Sequence, residues 1–335
     1  MDLLQDLAST FASQLQTPAL AFLLGGMFVA ALGSKLSIPD AIYRFVVFML
    51  LMRIGLDAGM EIRQGELGAI LLPALAASVV GCVIVLAGRY TLALLPGVRT
   101  EDGIATAGLF GAVSASTLAA AMVVLDQEGV VFEAWAPALY PFMDIPALIL
   151  AIVLAGIHRQ KEEGNGNGRV RAWPIVVDSL RGSAISALLL GILLGVVTRP
   201  ESVYEGFYDP LFRGLLSILM LILGIEAWSR LSELRSVAHW YVVYALVAPL
   251  AHGLLAFGFG YLLHVATGFS PGGVILLAVI AASNSDISGP PTLRAGIPGA
   301  NPSTYIGAST AIGTPISIAV GIPFFLSLAR LVFDL

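Results

Sequence analysis

Two short polar runs, Ser114-Ala115-Ser116-Thr117 and Ser283-Asn284-Ser285-Asp286, interrupt long apolar stretches of the chain. A hydroxyl both donates and accepts hydrogen bonds, and inside a hydrocarbon-spanning segment it is costly unless a partner helix or a watery cavity receives it. Clustered hydroxyls beside the backbone N–H groups of a helix start can hold a small anion. Turned round, the same oxygens can join a carboxylate in holding a hard cation such as Na+. The candidate substrate-binding residues are therefore Ser114, Ala115, Ser116, Thr117, Ser283, Asn284 and Ser285. The candidate Na+ ligands are Ser114, Asp144, Ser285, Asp286 and Thr314, with Asp144 lying in Tyr140-Pro141-Phe142-Met143-Asp144-Ile145-Pro146. Serine and alanine also serve simply as small residues where membrane helices touch, and Asp144 could cap a short helix or pair with an arginine. The occurrence of both runs in matching places favours a site.

Such residues need elements that bring them together. Ser114 and Ser283 are 169 positions apart in a chain of 335. At that same offset Gly26 meets Gly195, Arg44 meets Arg213, Gly55-Leu56-Asp57-Ala58 meets Gly224-Ile225-Glu226-Ala227, Gly103 meets Gly272 and Pro146 meets Pro315. Segments long enough to cross about 30 Å of hydrocarbon recur at roughly 18–34, 40–60, 68–95, 103–125, 134–157, 174–197, 209–229, 240–264, 271–295 and 305–331. Five spans per half start the second half from the opposite side of the bilayer, so the pattern predicts an inverted repeat with its polar site near the midplane. The fourth and ninth spans, punctuated by Gly and Ser, are the candidate broken helices. The fold class expected is an all-α integral membrane protein with ten transmembrane helices in a five-plus-five inverted repeat. Its parts are residues 1–157, a cytoplasmic linker at 158–173 and residues 174–335.

Composition supports the class: 58% of residues are apolar, 12% are charged and the mean hydropathy is +0.91, values that do not suit a water-facing surface. The linker carries Arg159, Lys161, Arg169 and Arg171 and is expected in the cytoplasm by the positive-inside bias. Counting outward from it places both termini outside, with Lys35, Arg99, Arg230, Arg235 and Arg294 inside and Arg63, Arg199 and Arg330 outside. Residues Met1 to Thr17 lack the basic start and the cleavage site of a signal peptide. A lone Cys82 excludes an internal disulfide and a cysteine metal cluster, and scattered histidines at 158, 239, 252 and 264 disfavour a transition-metal site. Asp57 and Glu226 read as helix-end residues at the interfaces, while Arg53, Arg89 and His252 read as snorkelling or interhelical pairing groups.

The chain resembles the cyanobacterial sodium-dependent bicarbonate transporters of the high-affinity inorganic carbon uptake system. The likeness covers nearly the whole chain and is carried by Gln14-Leu15-Gln16, Gly108-Leu109-Phe110-Gly111-Ala112-Val113-Ser114, the run from Ala138 to Leu148, the run from Pro200 to Pro210, and Asp286-Ile287-Ser288-Gly289-Pro290-Pro291-Thr292-Leu293-Arg294-Ala295-Gly296-Ile297-Pro298. It implies Na+-dependent import of bicarbonate by alternating access, with Na+ as coupling ion and no organic cofactor. It further implies a homotrimer in the plasma membrane and a cytoplasmic PII-like regulatory protein that senses adenine nucleotides. The chain departs from the family pattern at Ala115, where glycine is expected, at Asn284, where serine is expected, and in its short linker. The alternative within the same fold is a Na+- or H+-coupled transporter of another small anion. A membrane-embedded hydrolase fits poorly, since neither Ser114 nor Ser283 lies in a nucleophile-elbow pattern and only His252 lies well inside a span. Nothing in the chain suggests a nucleic-acid partner.

Overall fold

The computed structural model describes residues 18–63, 67–162, 177, 183–233, 239–286, 289–333 and 335. Gln14-Leu15-Gln16, most of the linker, and the start of the sixth span lie outside the described residues, as does the side chain of Glu226. Each of the ten sequence-read spans coincides with a helical stretch among the described residues, and no strand occurs among them. The first half holds α1 (Pro18–Ala31), α2 (Asp40–Arg63), α3 (Leu67–Tyr90), α4 (Thr100–Gly111), α5 (Ala115–Gln127) and α6 (Leu139–Glu162). The second holds α7 (Ser183–Val197), α8 (Asp209–Glu233), α9 (His239–Thr267), α10 (Pro271–Ala282), α11 (Gly289–Gly296), α12 (Pro302–Ile306) and α13 (Ile322–Phe333). Between α12 and α13 the helix continues through π turns at Gly307–Gly313 and Ser317–Gly321. Among the described residues six stretches are long and apolar enough to cross a membrane by themselves, including Thr100–Gln127, which contains the first break.

The helices sort into two bodies. In one, α1 lies on α8 and α2 lies on α7, each contact joining a helix of one half to a helix of the other. Glycine makes both crossings: a Cβ at Gly26 would stand 2.2 Å from the Leu221 carbonyl, and one at Gly55 would stand 2.4 Å from the Leu188 carbonyl. Without that carbon the backbones approach closely, the packing that stands in for the hydrophobic effect between helices in lipid. Arg53 on α2 is held by Asp57 at 3.4 Å and reaches Asp209 at 2.7 Å, so it makes the interhelical pair expected of it. Asp57 is its partner six residues before the end of α2 rather than a helix terminus.

In the second body α3, α4 and α6 pack together, as do α9, α10 and α13. The helix pairs α4–α5 and α10–α11 run antiparallel, each start tied to the loop that follows the other pair. Asp102 at the start of α4 accepts the Asn301 N–H at 2.7 Å, and Arg99 donates to the Gly299 carbonyl at 3.0 Å. Ser270, which caps α10, donates its N–H and its hydroxyl to Glu133 at 2.8 and 2.7 Å. Pro146 inside α6 has no N–H for the Phe142 carbonyl, and the Ser78 hydroxyl of α3 donates to that carbonyl at 2.7 Å. In the second half Val247 occupies the place of Ser78. There the helix runs as π turns up to Pro315, a pattern that passes carbonyls over the missing donor.

Candidate functional site

Helix α4 ends at Gly111, where Ala112 turns extended at φ −88, ψ 169. Ser114, also extended, starts α5 as its N-cap, its Oγ accepting the Thr117 N–H at 3.1 Å. The second break is built from the same parts with a longer gap. Ser283 leaves α10 extended at φ −76, ψ 178, and Ser285 Oγ accepts the Gly289 N–H at 2.8 Å where α11 begins. Both breaks are buried: Ser114, Ser283, Asn284 and Ser285 have no exposed surface.

The two breaks touch. The Ser114 N–H donates to Ser283 Oγ at 3.0 Å, whose own proton goes to the Ile280 carbonyl at 2.7 Å. The Ser285 N–H donates to the Leu109 carbonyl at 2.9 Å. Ser116 Oγ donates to Asp286 Oδ2 at 2.8 Å, so in the 2.7 Å contact between Ser114 and Ser116 the proton must come from Ser114. Hydrogen bonds thus run one way, from the Thr117 N–H through Ser114 and Ser116 to the carboxylate. Tyr43 of α2 donates a second hydroxyl to the same oxygen at 3.3 Å. The amides of Ala115 and Ser116 open a helix and have no intrahelical acceptor, and the buried Thr117 hydroxyl has no hydrogen-bond partner among the described residues. The cluster therefore offers donors on the α5 side and acceptor oxygens on the α10–α11 side. No group of three or more His, Cys, Asp or Glu suited to a metal occurs among the described residues.

The remaining sequence-predicted residues stand in two groups beside this one. Asp144 is fully buried and its Oδ1 accepts the Val113 N–H at 2.9 Å, serving the backbone of the first break. The Asn284 amide faces Thr314, and the orientation that satisfies both its ends donates to Thr314 Oγ1 at 2.8 Å and to the Ser309 carbonyl at 3.0 Å while accepting the Thr314 N–H at 3.1 Å. Gly313 makes room for it, since a Cβ there would meet the Asn284 amide at 2.6 Å and the Phe110 ring at 2.8 Å. Sequence reasoning missed Tyr43, the Leu109 carbonyl and Ser317. Ser317 carried a signal, a serine within an apolar span, and its hydroxyl lies 2.6 Å from the Ala282 carbonyl at the end of α10. His252 lies against the rings of Phe110 and Tyr244, with centroids at 6.4 and 5.9 Å, rather than snorkelling to an interface.

A cavity of about 630 Å³ opens between the two bodies at the far end of α5, lined by Arg53, Asp57, Met122, Asp126, Asp209 and Arg213 among others. Met122 is five residues beyond Thr117 on α5, a rise of about 7.5 Å, so the cavity approaches the breaks along that helix. Arg213 of α8 and Asp126 of α5 form an ion pair at its rim.

A family model described as the Na+-dependent bicarbonate transporter superfamily matches residues 18–330 of the chain. A comparison with curated proteins gives no match.

Proposed function

The chain belongs to the Na+-dependent bicarbonate transporter superfamily, and from that premise we propose that it is a Na+-coupled bicarbonate symporter working by alternating access. Its place in a transporter family makes it a membrane transport protein and not an enzyme. The observation that carries the finer reading is the run of hydrogen bonds from the start of α5 to Asp286, which joins donors for an anion to oxygens for a cation in one buried site. Bicarbonate accepts from the Ala115 and Ser116 amides and from the Thr117 hydroxyl. Na+ lies on the Asp286 side, drawing on Ser114, Ser285 and Thr314 for oxygens, with Asp144 holding the first break in shape. Positive charge beside the anion raises affinity for it, and the effect is mutual. If the two ions move one for one, no net charge crosses; each extra Na+ contributes about 2.3 kcal/mol per 100 mV of membrane potential.

The architecture proposed for this function is ten spans in a five-plus-five inverted repeat. Its supports are the matches at an offset of 169, the antiparallel course of the two broken helices and the reciprocal contacts of α1 with α8 and α2 with α7. The cavity beside α5 then serves as the outer vestibule, with both termini outside. The plasma-membrane location, the homotrimer and the cytoplasmic PII-like partner rest on the family resemblance. The test is uptake of isotope-labelled bicarbonate by cells expressing the chain, with Na+ present or replaced by another monovalent cation at fixed pH. Uptake is expected only with Na+; equal uptake without it rejects the symport, and titration of uptake with pH instead identifies H+ as the coupling ion.

A further inference from the structure

Among the hydrogen bonds described above, the contact of Tyr43 with Asp286 is unusual in crossing between the two helical bodies at the ion site itself. Tyr43 stands three residues inside the start of α2, on the body held together by Gly26 and Gly55, whereas Asp286 belongs to the break between α10 and α11. The phenol and the Ser116 hydroxyl both donate to Asp286 Oδ2, at 3.3 and 2.8 Å. A cation that takes this oxygen competes with its donors: the Ser116 hydroxyl rotates about a single bond and presents a lone pair in place of its proton, while the Tyr43 phenol favours its proton in the plane of a ring whose position α2 sets. We propose that Tyr43 is a positioning residue that occupies Asp286 in the absence of Na+ and is released when Na+ binds, so that ion binding frees the α1–α2–α7–α8 body from the broken-helix body. This inference rests on the assignment of Na+ to Asp286. By linkage, whatever the Tyr43 contact contributes to the ion-free arrangement must be given up on binding, so it lowers Na+ affinity by the same factor.

The test compares wild type with Tyr43→Phe, which keeps the ring and removes the hydroxyl. The half-saturating Na+ concentration for labelled bicarbonate uptake is expected to fall about two- to tenfold, while the half-saturating bicarbonate concentration at saturating Na+ stays unchanged. A merely structural role for the ring predicts no shift in either. Because a variant that binds Na+ without translocating reports nothing by uptake, the purified protein is also titrated with NaCl and its thermal-unfolding midpoint followed. Stabilisation of Tyr43→Phe at lower Na+ than wild type supports the proposal by either readout. An unchanged or raised Na+ requirement overturns it, an increase meaning that the phenol oxygen is itself a ligand. Asp286→Ala is carried alongside: if it retains Na+-dependent uptake, the site assignment fails, and only if it loses uptake does the Tyr43 result bear on the inference alone.

Discussion

At the first break Thr117 carries a hydroxyl with no hydrogen-bond partner among the described residues; 169 residues on, the matching place holds Asp286, a carboxylate that accepts from Ser116 and Tyr43. A second exchange lies beside it. Asp144 on α6 reaches in to the backbone of the first break, while its counterpart Gly313 is bare and Asn284, the counterpart of Ala115, reaches out from the second break to fill the space. The polar group comes from the supporting helix in one half and from the break in the other. The two breaks thereby differ in kind, one rich in donors and the other in acceptors, the inequality on which the proposed joint site for an anion and a cation rests.

Changes that erase this inequality should have the largest effects. Asp286→Ala removes the carboxylate that accepts from Ser116 and Tyr43, and Na+-dependent bicarbonate uptake is expected to fall to background while the protein still reaches the membrane in normal amount, measured by labelled uptake and immunoblot; substantial residual Na+-dependent uptake would falsify the division of roles. Thr117→Asp gives the first break the charge of the second. A like charge about 4 Å from a bound anion opposes it by about 4 kcal/mol at an effective dielectric of 20, so the half-saturating bicarbonate concentration should rise by tenfold or more. An unchanged value places the anion elsewhere.

The supporting contacts sharpen the comparison at smaller cost. Gly313→Ala sets a methyl 2.6 Å from the Asn284 amide and 2.8 Å from Phe110, and a loss of about 1–3 kcal/mol is expected from such overpacking. It should appear as a lower unfolding midpoint in detergent. Ser78→Ala makes the first half resemble the second, where Val247 stands, and leaves the Phe142 carbonyl without its side-chain donor. About 1 kcal/mol of stability is at stake, with Na+ dependence retained; a larger loss would show that α6 lacks the π-turn adjustment available before Pro315.

The positions of the helical stretches and of both breaks were legible in the chain, because hydropathy acts over one segment and Gly, Ser and Pro act over one turn. Asp286 stood out because a carboxylate is costly in hydrocarbon. The partners of these groups were not legible. Tyr43 and Asp286 are separated by 243 positions, and nothing near Tyr43 distinguishes it from any tyrosine at the start of a membrane helix. That Asp144 Oδ1 accepts the Val113 amide was not legible either, since the contact depends on where α6 lies against the first break.

The amino-acid order by itself determined the membrane class, the places where helices begin and stop, the recurrence at 169 residues and the polar runs at the two breaks, since each follows from local free energies of transfer, capping and backbone freedom. Tertiary structure alone decided which hydroxyl gives its proton to which neighbour, that both breaks meet, and that α2 reaches the carboxylate. Those outcomes depend on the close approach of distant backbones at Gly26 and Gly55 and of the Asn284 and Phe110 side chains at Gly313, each allowed by a missing carbon and expressed only once the helices are packed.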